Sequence, residues 1–196
     1  MEDRASAQGD GVAYSIRRAG DHEAAEAHGH FDLTCHAPDG QLKWTDRIEN
    51  IVCTEGKNLM LDTTFAGSAY TKTGPFMGLI SSASFSTTAA ADTAAQINGS
   101  NGWKEAGGAN APTYSGSRPT CVWAGATGGV KALSANLTFN LTGSGTVKGC
   151  FILLGNGATS TIDNANGILW SAGLFSNGDK TVGSGDSISA NYSTSL

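Results

Sequence analysis

The chain has 196 residues, enough for one domain of ordinary size plus an appendage and too few for a second full domain. Charged residues make up 15 % of it, well below the usual quarter, and 27 glycines with abundant Ser, Thr, Ala and Asn give the texture of a β protein with many turns. A net charge of −5 without a basic stripe excludes nucleic acid as the main partner, Arg17-Arg18 being too small a cluster to hold a phosphate backbone, and no run is apolar enough to enter a membrane.

The first residues, MEDRASAQGDGVAYSIRR, place no apolar stretch behind their charges, so they do not read as a secretory signal and the expected site of synthesis is a cytoplasm. Residues 1–50 hold ten acidic and five basic residues, and all four histidines fall between His22 and His36. Two differently built regions follow from this: an extended N-terminal arm over 1–30 and a β domain over 31–196. The arm has few large apolar side chains, with Val12, Tyr14 and Ile16 as the exceptions, and cannot bury enough surface to fold alone. Tyr14-Ser15-Ile16 offers a short strand for addition to a partner.

From Phe31 the pattern becomes periodic. FDLTCH sets Phe31, Leu33 and Cys35 against Asp32, Thr34 and His36, and QLKWT alternates again through Leu42 and Trp44. With Asp39-Gly40 between them, the two runs predict a β-hairpin. Thr54, Glu55 and the apolar residues after them predict one helix over about 54–65, with Thr54 as its cap, Glu55 at its positive end and Gly67 as its stop. We expect this helix to be buried and to anchor the arm, with Trp44, Ile48, Val52, Leu59 and Leu61 in the core or at an interface.

Beyond the helix lie short apolar or alternating runs: PFMGLISS, RPTCVWA, ALSANLTFNLT, TVKGCFILLG, GILWSAGLFS and SISANYSTS. Asn156-Gly157 and Asn177-Gly178 are hairpin-type turn signals, and the stretch 84–116 is long enough to cross between sheets. Repeated strands of this kind predict an all-β fold, a jelly-roll-like two-sheet β-sandwich with one short helix.

Catalytic and metal-binding patterns are weak. His22, His28, His30 and His36 with Cys35 match no usual zinc spacing, and no metal or other cofactor is expected. Cys35, Cys53, Cys121 and Cys150 are scattered without a CxxC pair and read as buried reduced thiols. Asp46, Glu49, Glu55 and Asp62 crowd into the approach to the helix, whereas glycoside hydrolysis needs carboxylates opposed across a cleft. GATGGVKA, residues 125–132, lacks the Gly-Lys-Ser/Thr of a phosphate loop and reads as a strand-linking turn. No G-x-S-x-G elbow is present, and every histidine lies upstream in the arm region, which leaves a serine triad without an obvious base. Trp103, Trp123 and Trp170 with Tyr70, Tyr114 and Tyr192 form either core and interface anchors or a sugar-stacking surface.

One further pattern is the order of short motifs: Asp39-Gly40-Gln41-Leu42-Lys43-Trp44, Asn50-Ile51-Val52, Gly56-Lys57-Asn58-Leu59-Met60-Leu61-Asp62, Pro75 to Ile80, Gly102-Trp103-Lys104-Glu105, Tyr114 to Pro119, and Leu169 to Ile188. In that order they resemble a family of small structural proteins encoded by tailed bacteriophages, over roughly residues 31–196. The resemblance implies a virion component without enzymatic activity, most like a capsid cement or decoration protein with a jelly-roll-like fold. By the same resemblance it would bind the major capsid protein on the head exterior and self-associate as a homotrimer. Tyr14, Ile16, Arg17, Arg18, Phe31 and Trp44 are the candidate partner-contact residues. Two other readings stay open: a tail or fibre protein recognising host-surface glycans through its aromatics, and a polysaccharide hydrolase using Glu49 or Glu55.

Overall fold

The alternating run after the histidine-rich segment carries straight into the hairpin that organises the molecule. In the computed structural model, which describes residues 27–65, 73–81, 87–100 and 102–195, strand β1 spans His28–His36 and β2 spans Leu42–Val52. The turn between them closes through Ala37 N donating to Gln41 O, with Gly40 at a φ of 82° that favours glycine. Phe31, Leu33 and Cys35 point inward as their spacing predicts, and β1 begins three residues ahead of Phe31. Tyr14, Ile16, Arg17, Arg18, Tyr70 and Gly67 lie outside the described residues, as does most of the expected arm.

Helix α1, Thr54–Phe65, follows at once. Then come β3 (Phe76–Ser81), a 3₁₀ turn (Ala94–Gln96), β4 (Ala106–Gly107), β5 (Asn110–Thr113), β6 (Val130–Ala132), β7 (Leu137–Asn140), β8 (Gly145–Leu154), β9 (Ile168–Leu174), β10 (Lys180–Val182) and β11 (Ser187–Ser195). Strands β4 and β5 form a small parallel pair. The other nine form one antiparallel sheet in the order β10-β8-β9-β2-β1-β11-β6, with β3 also on β8 and β7 also on β11. Val147 pairs with Ser81 of β3 and with Lys180 of β10, so β10 lies on the β9 side of β8 and continues the line of β9.

Both outer edges of this sheet reach the same piece of chain, 113–124. On the β3 edge, Met77 N donates to Pro119 O and Cys121 N to Pro75 O. On the other edge, Ser115 N donates to Asn140 O, Ala124 N to Ala132 O and Ser134 N to Val122 O. The sheet therefore curls until a strap closes it, which leaves no long unpaired edge along β3. The expected all-β, sandwich-like architecture is present, built as a single curled sheet whose facing walls enclose the core.

Strand β8 explains the longest apolar run. Cys150 and Ile152 face the enclosed core with Phe31, Met77, Phe139 and Ile188. Phe151 and Leu153 face outward, where Ile97 and Trp103 from the 87–103 excursion cover them. A strand packed on both faces has no polar side to show, so CFILL reads as continuous rather than alternating.

Three sequence expectations are corrected here. Helix α1 is not buried: only Gly56 is, against Trp170, while Leu61 and Phe65 are 49 % and 81 % exposed. Leu59, Met60 and Leu61 are consecutive, so at 100° per residue they splay around the helix instead of forming one stripe. Cys53 O accepts from Lys57 N at the first turn, while Thr54 N donates to Ala90 O, and Glu55 Oε1 reaches out to the amides of Ala94 and Leu169. Its carboxylate thus ties the 87–100 excursion to β9 across the helix start. Asn156-Gly157 opens the long connection from β8 to β9, and Asn177-Gly178 sits where β9 gives way to β10 along the same neighbour, so neither closes a hairpin.

Candidate functional site

The charged residues of the sequence motifs meet each other inside the fold. Glu105 and Arg118 are both fully buried, with Arg118 Nε donating to Glu105 Oε1 at 2.6 Å and Nη2 to Oε2 at 2.5 Å. Burial pushes the Glu105 carboxyl above its ordinary value, and the guanidinium opposes that shift. Lys43 Nζ lies 2.5 Å from Asp186 Oδ2, and Lys180 Nζ lies 2.5 Å from Asp46 Oδ2. Burial works against the charge on both aspartates, but their lysines and the amides of Gly183 and Arg47 hold both carboxyls below the ordinary value of 3.8.

These shifts fix a pH dependence. A carboxyl whose folded pKa is depressed stabilises the fold above its unfolded pKa and loses that contribution as pH falls through the folded value. The contributions of Asp46 and Asp186 are therefore expected to be lost as pH falls below about 4, lowering the denaturant midpoint there, while the raised Glu105 carboxyl acts in the opposite sense at higher pH. Asp186→Asn should lower the midpoint at neutral pH and flatten part of the acid limb; an unchanged acid limb would remove Asp186 from this account.

The other candidate reactive groups are accounted for by packing. All four cysteines are free and buried; burial pushes Cys35 up to about 11, Cys53 and Cys121 up to about 12, and Cys150 upward as well. None is poised as a thiolate at neutral pH. Among the described residues no three His, Cys, Asp or Glu side chains come together as a metal site. GATGGVKA is a tight hairpin turn into β6, with Thr127 and Val130 exchanging both backbone hydrogen bonds and Gly128 and Gly129 at φ of 61° and 77°. Of the suspected carboxylates, Asp46 and Glu55 are engaged as described, while Glu49 and Asp62 are exposed, and among the described residues the cavity that Glu49 borders does not include Asp62.

Two candidate contact residues fall within the described chain. Phe31 is fully buried, its ring 4.7 Å from that of Tyr192, so it is core and not surface. Trp44 is half-buried and meets Phe175 edge-on at 5.7 Å, keeping part of its indole at the surface. Of the described aromatics in the candidate sugar-stacking set, Trp103, Tyr114 and Tyr192 are buried, while Trp123 and Trp170 reach an open surface.

That surface is an apolar groove of about 360 Å³ between α1 and the hairpin into β6. Met60, Pro75, Trp123, Val130, Leu154 and Trp170 line it, with Lys131, Thr194 and Ser195 at its rim. A smaller cavity of about 230 Å³ continues it beneath Leu59 and Thr63 of α1. Both indoles are steadied by Tyr192, to whose hydroxyl Trp170 Nε1 donates at 3.0 Å and whose ring Trp123 meets edge-on at 5.8 Å. Among the described residues that line it there is no carboxylate to receive sugar hydroxyls, and this lining suits apolar side chains better than a glycan. Sequence reasoning missed this groove because Met60, Val130 and Leu154 come from three distant elements; Trp123 and Trp170 read as candidate surface aromatics, while Met60, Pro75 and Val130 stand in runs that read as motif or turn.

Comparison with known protein families, with curated proteins and with solved structures finds no match to this chain.

Proposed function

We propose that the chain is a non-enzymatic structural protein of a bacteriophage virion: a capsid cement protein that binds the head exterior as a homotrimer and holds major capsid protein subunits together. The observation that carries this reading is where the motif charges go. Lys43 from DGQLKW pairs with Asp186 from GDSIS, and Glu105 from GWKE pairs with Arg118, and ion pairs that hold the fold together support a structural reading of the motifs. A cement protein needs a rigid body and extended contacts, and a trimer would engage several at once, raising affinity steeply. Tyr14, Ile16, Arg17, Arg18 and Trp44 remain its candidate contacts.

The test is cosedimentation of the purified protein with matched empty heads and, separately, with host cells. Saturable binding to heads alone is expected. Binding to cells alone would overturn the cement reading in favour of a tail or fibre protein, although the groove, with two indoles and no acidic acceptor among its described lining residues, gives that alternative little support.

A further inference from the structure

We propose that Asn156-Gly157 and Asn166-Gly167 are self-modifying steps, at which the chain converts asparagine to aspartate and isoaspartate with water as the only co-reactant. The inference needs nothing from the virion reading. Five asparagines precede glycine, the one residue that leaves the next main-chain nitrogen unshielded by a side chain. At such a step that nitrogen attacks the asparagine Cγ. A C–N bond closes a five-membered succinimide, and the side-chain amide leaves as ammonia, taking the proton lost from the main-chain nitrogen. Water then opens the ring at one of its two carbonyls. One opening gives aspartate, and the other gives isoaspartate, whose main chain is one carbon longer. This reactivity is what makes asparagine thermolabile.

Hydrogen bonding decides which steps react. Asn101 lies outside the described residues, which leaves Asn98, Asn156, Asn166 and Asn177. Asn98 is locked: its Nδ2 donates to Asp163 Oδ1 at 2.6 Å, its Oδ1 accepts from Glu105 N at 3.1 Å, and Gly99 N donates to Gln96 O at 3.3 Å. Attack there would break all three bonds. Asn177 donates its side-chain amide to the Asp46 carboxylate, a charge-assisted bond that must break before the carboxamide can swing onto its own main chain. Asn156 and Asn166 differ from both. Among the described residues neither carboxamide has a hydrogen-bond partner, and neither Gly157 N nor Gly167 N donates to one. Asn156 sits in a tight turn closed by Ala158 N donating to Gly155 O at 3.1 Å, with Gly157 at a φ of 83°. The two steps are also neighbours, since a methyl group on Gly157 would lie 3.7 Å from Asn166 Cβ and 3.7 Å from Gly167 N. Each conversion adds a negative charge, so modification of both sets like charges close together in the β8–β9 connection, whose Thr159 and Asn164 carbonyls Arg118 holds.

The test incubates the full chain in warm, mildly alkaline buffer, folded and in urea, and follows each Asn-Gly step by peptide mass mapping. The map reads the gain of one mass unit and separates the aspartate peptide from the isoaspartate peptide. In the folded protein Asn156 and Asn166 are expected to convert several-fold faster than Asn98 and Asn177. In urea, where no fold holds any carboxamide, all four are expected to convert at comparable rates. Asp46→Ala, which removes the acceptor of the Asn177 amide, should speed the Asn177 step several-fold while Asn98 stays slow, the latter showing that the variant is still folded. Equal rates at the four steps of the folded parent, or faster conversion at Asn98 or Asn177 than at Asn156 and Asn166, would overturn the proposal. So would the absence of any mass gain at Asn156 and Asn166 over a period in which the urea-unfolded chain converts.

Discussion

Arg118→Ala is expected to destabilise the protein by about 3–5 kcal/mol, the cost of leaving a buried charge without its partner. In a chain of this length that corresponds to a fall in Tm of about 6–20 °C. The guanidinium does more than neutralise Glu105. Its Nη1 donates to Thr159 O at 3.0 Å and its Nη2 to Asn164 O at 2.7 Å, while the Phe151 ring lies 5.4 Å below it. Glu105 Oε2 in turn accepts from Asp163 N at 2.7 Å. One ion pair thus fastens the β8–β9 connection to the chain that enters the closing strap. Alanine would orphan a buried carboxylate and two carbonyls together. Removing both charges is a different experiment: Glu105→Leu/Arg118→Met should recover a large part of the loss, because two apolar side chains of similar volume avoid the desolvation cost. Thermal and denaturant unfolding of the parent, the single and the double variants decides the matter. A single variant within about 1 kcal/mol of the parent would show that the pair contributes little to stability.

The hairpin and the strand runs were legible because a strand with one wet face writes its orientation into every second residue. Phe31, Leu33 and Cys35 obeyed that rule, and Asp39-Gly40 closed the turn where two alternating runs met. Helix α1 was legible in its limits and not in its depth, since Thr54–Phe65 holds three consecutive apolar residues that propensity counts as helical without saying which face they serve. The strap was illegible as such. Residues 113–124 contribute isolated bridges to both edges instead of a strand, and RPTCVWA looks like any other apolar run until its partners are known. The ion pairs were half legible: Lys43, Glu105, Arg118 and Asp186 all stood in motifs, but pairing across 143 residues of sequence follows from the sheet order and not from spacing. The groove belongs to tertiary structure altogether, because its lining is assembled from α1, the strap, β6, β8, β9 and β11.

Gly149→Ala tests the other feature on which the fold depends, the closeness of β8 to β9. A methyl group at Gly149 would lie 2.0 Å from Gly173 O and 3.0 Å from Leu174 Cα, distances that no side-chain rotation relieves because the obstacle is backbone. The strands would have to separate, yet β8 is packed on both faces, by Ile152 and its neighbours inside and by Phe151 under Trp103 outside. Overpacking a yielding core costs about 1–3 kcal/mol, and a site that cannot yield should reach about 3 kcal/mol or more. Gly125→Ala is the matched control, since a methyl group there meets nothing within 4 Å, and a shift within about 0.5 kcal/mol is expected. The comparison reads the urea midpoints of the two variants. Coincident midpoints would mean that β8 and β9 move apart cheaply, and the account of β8 as a strand clamped on both faces would fail.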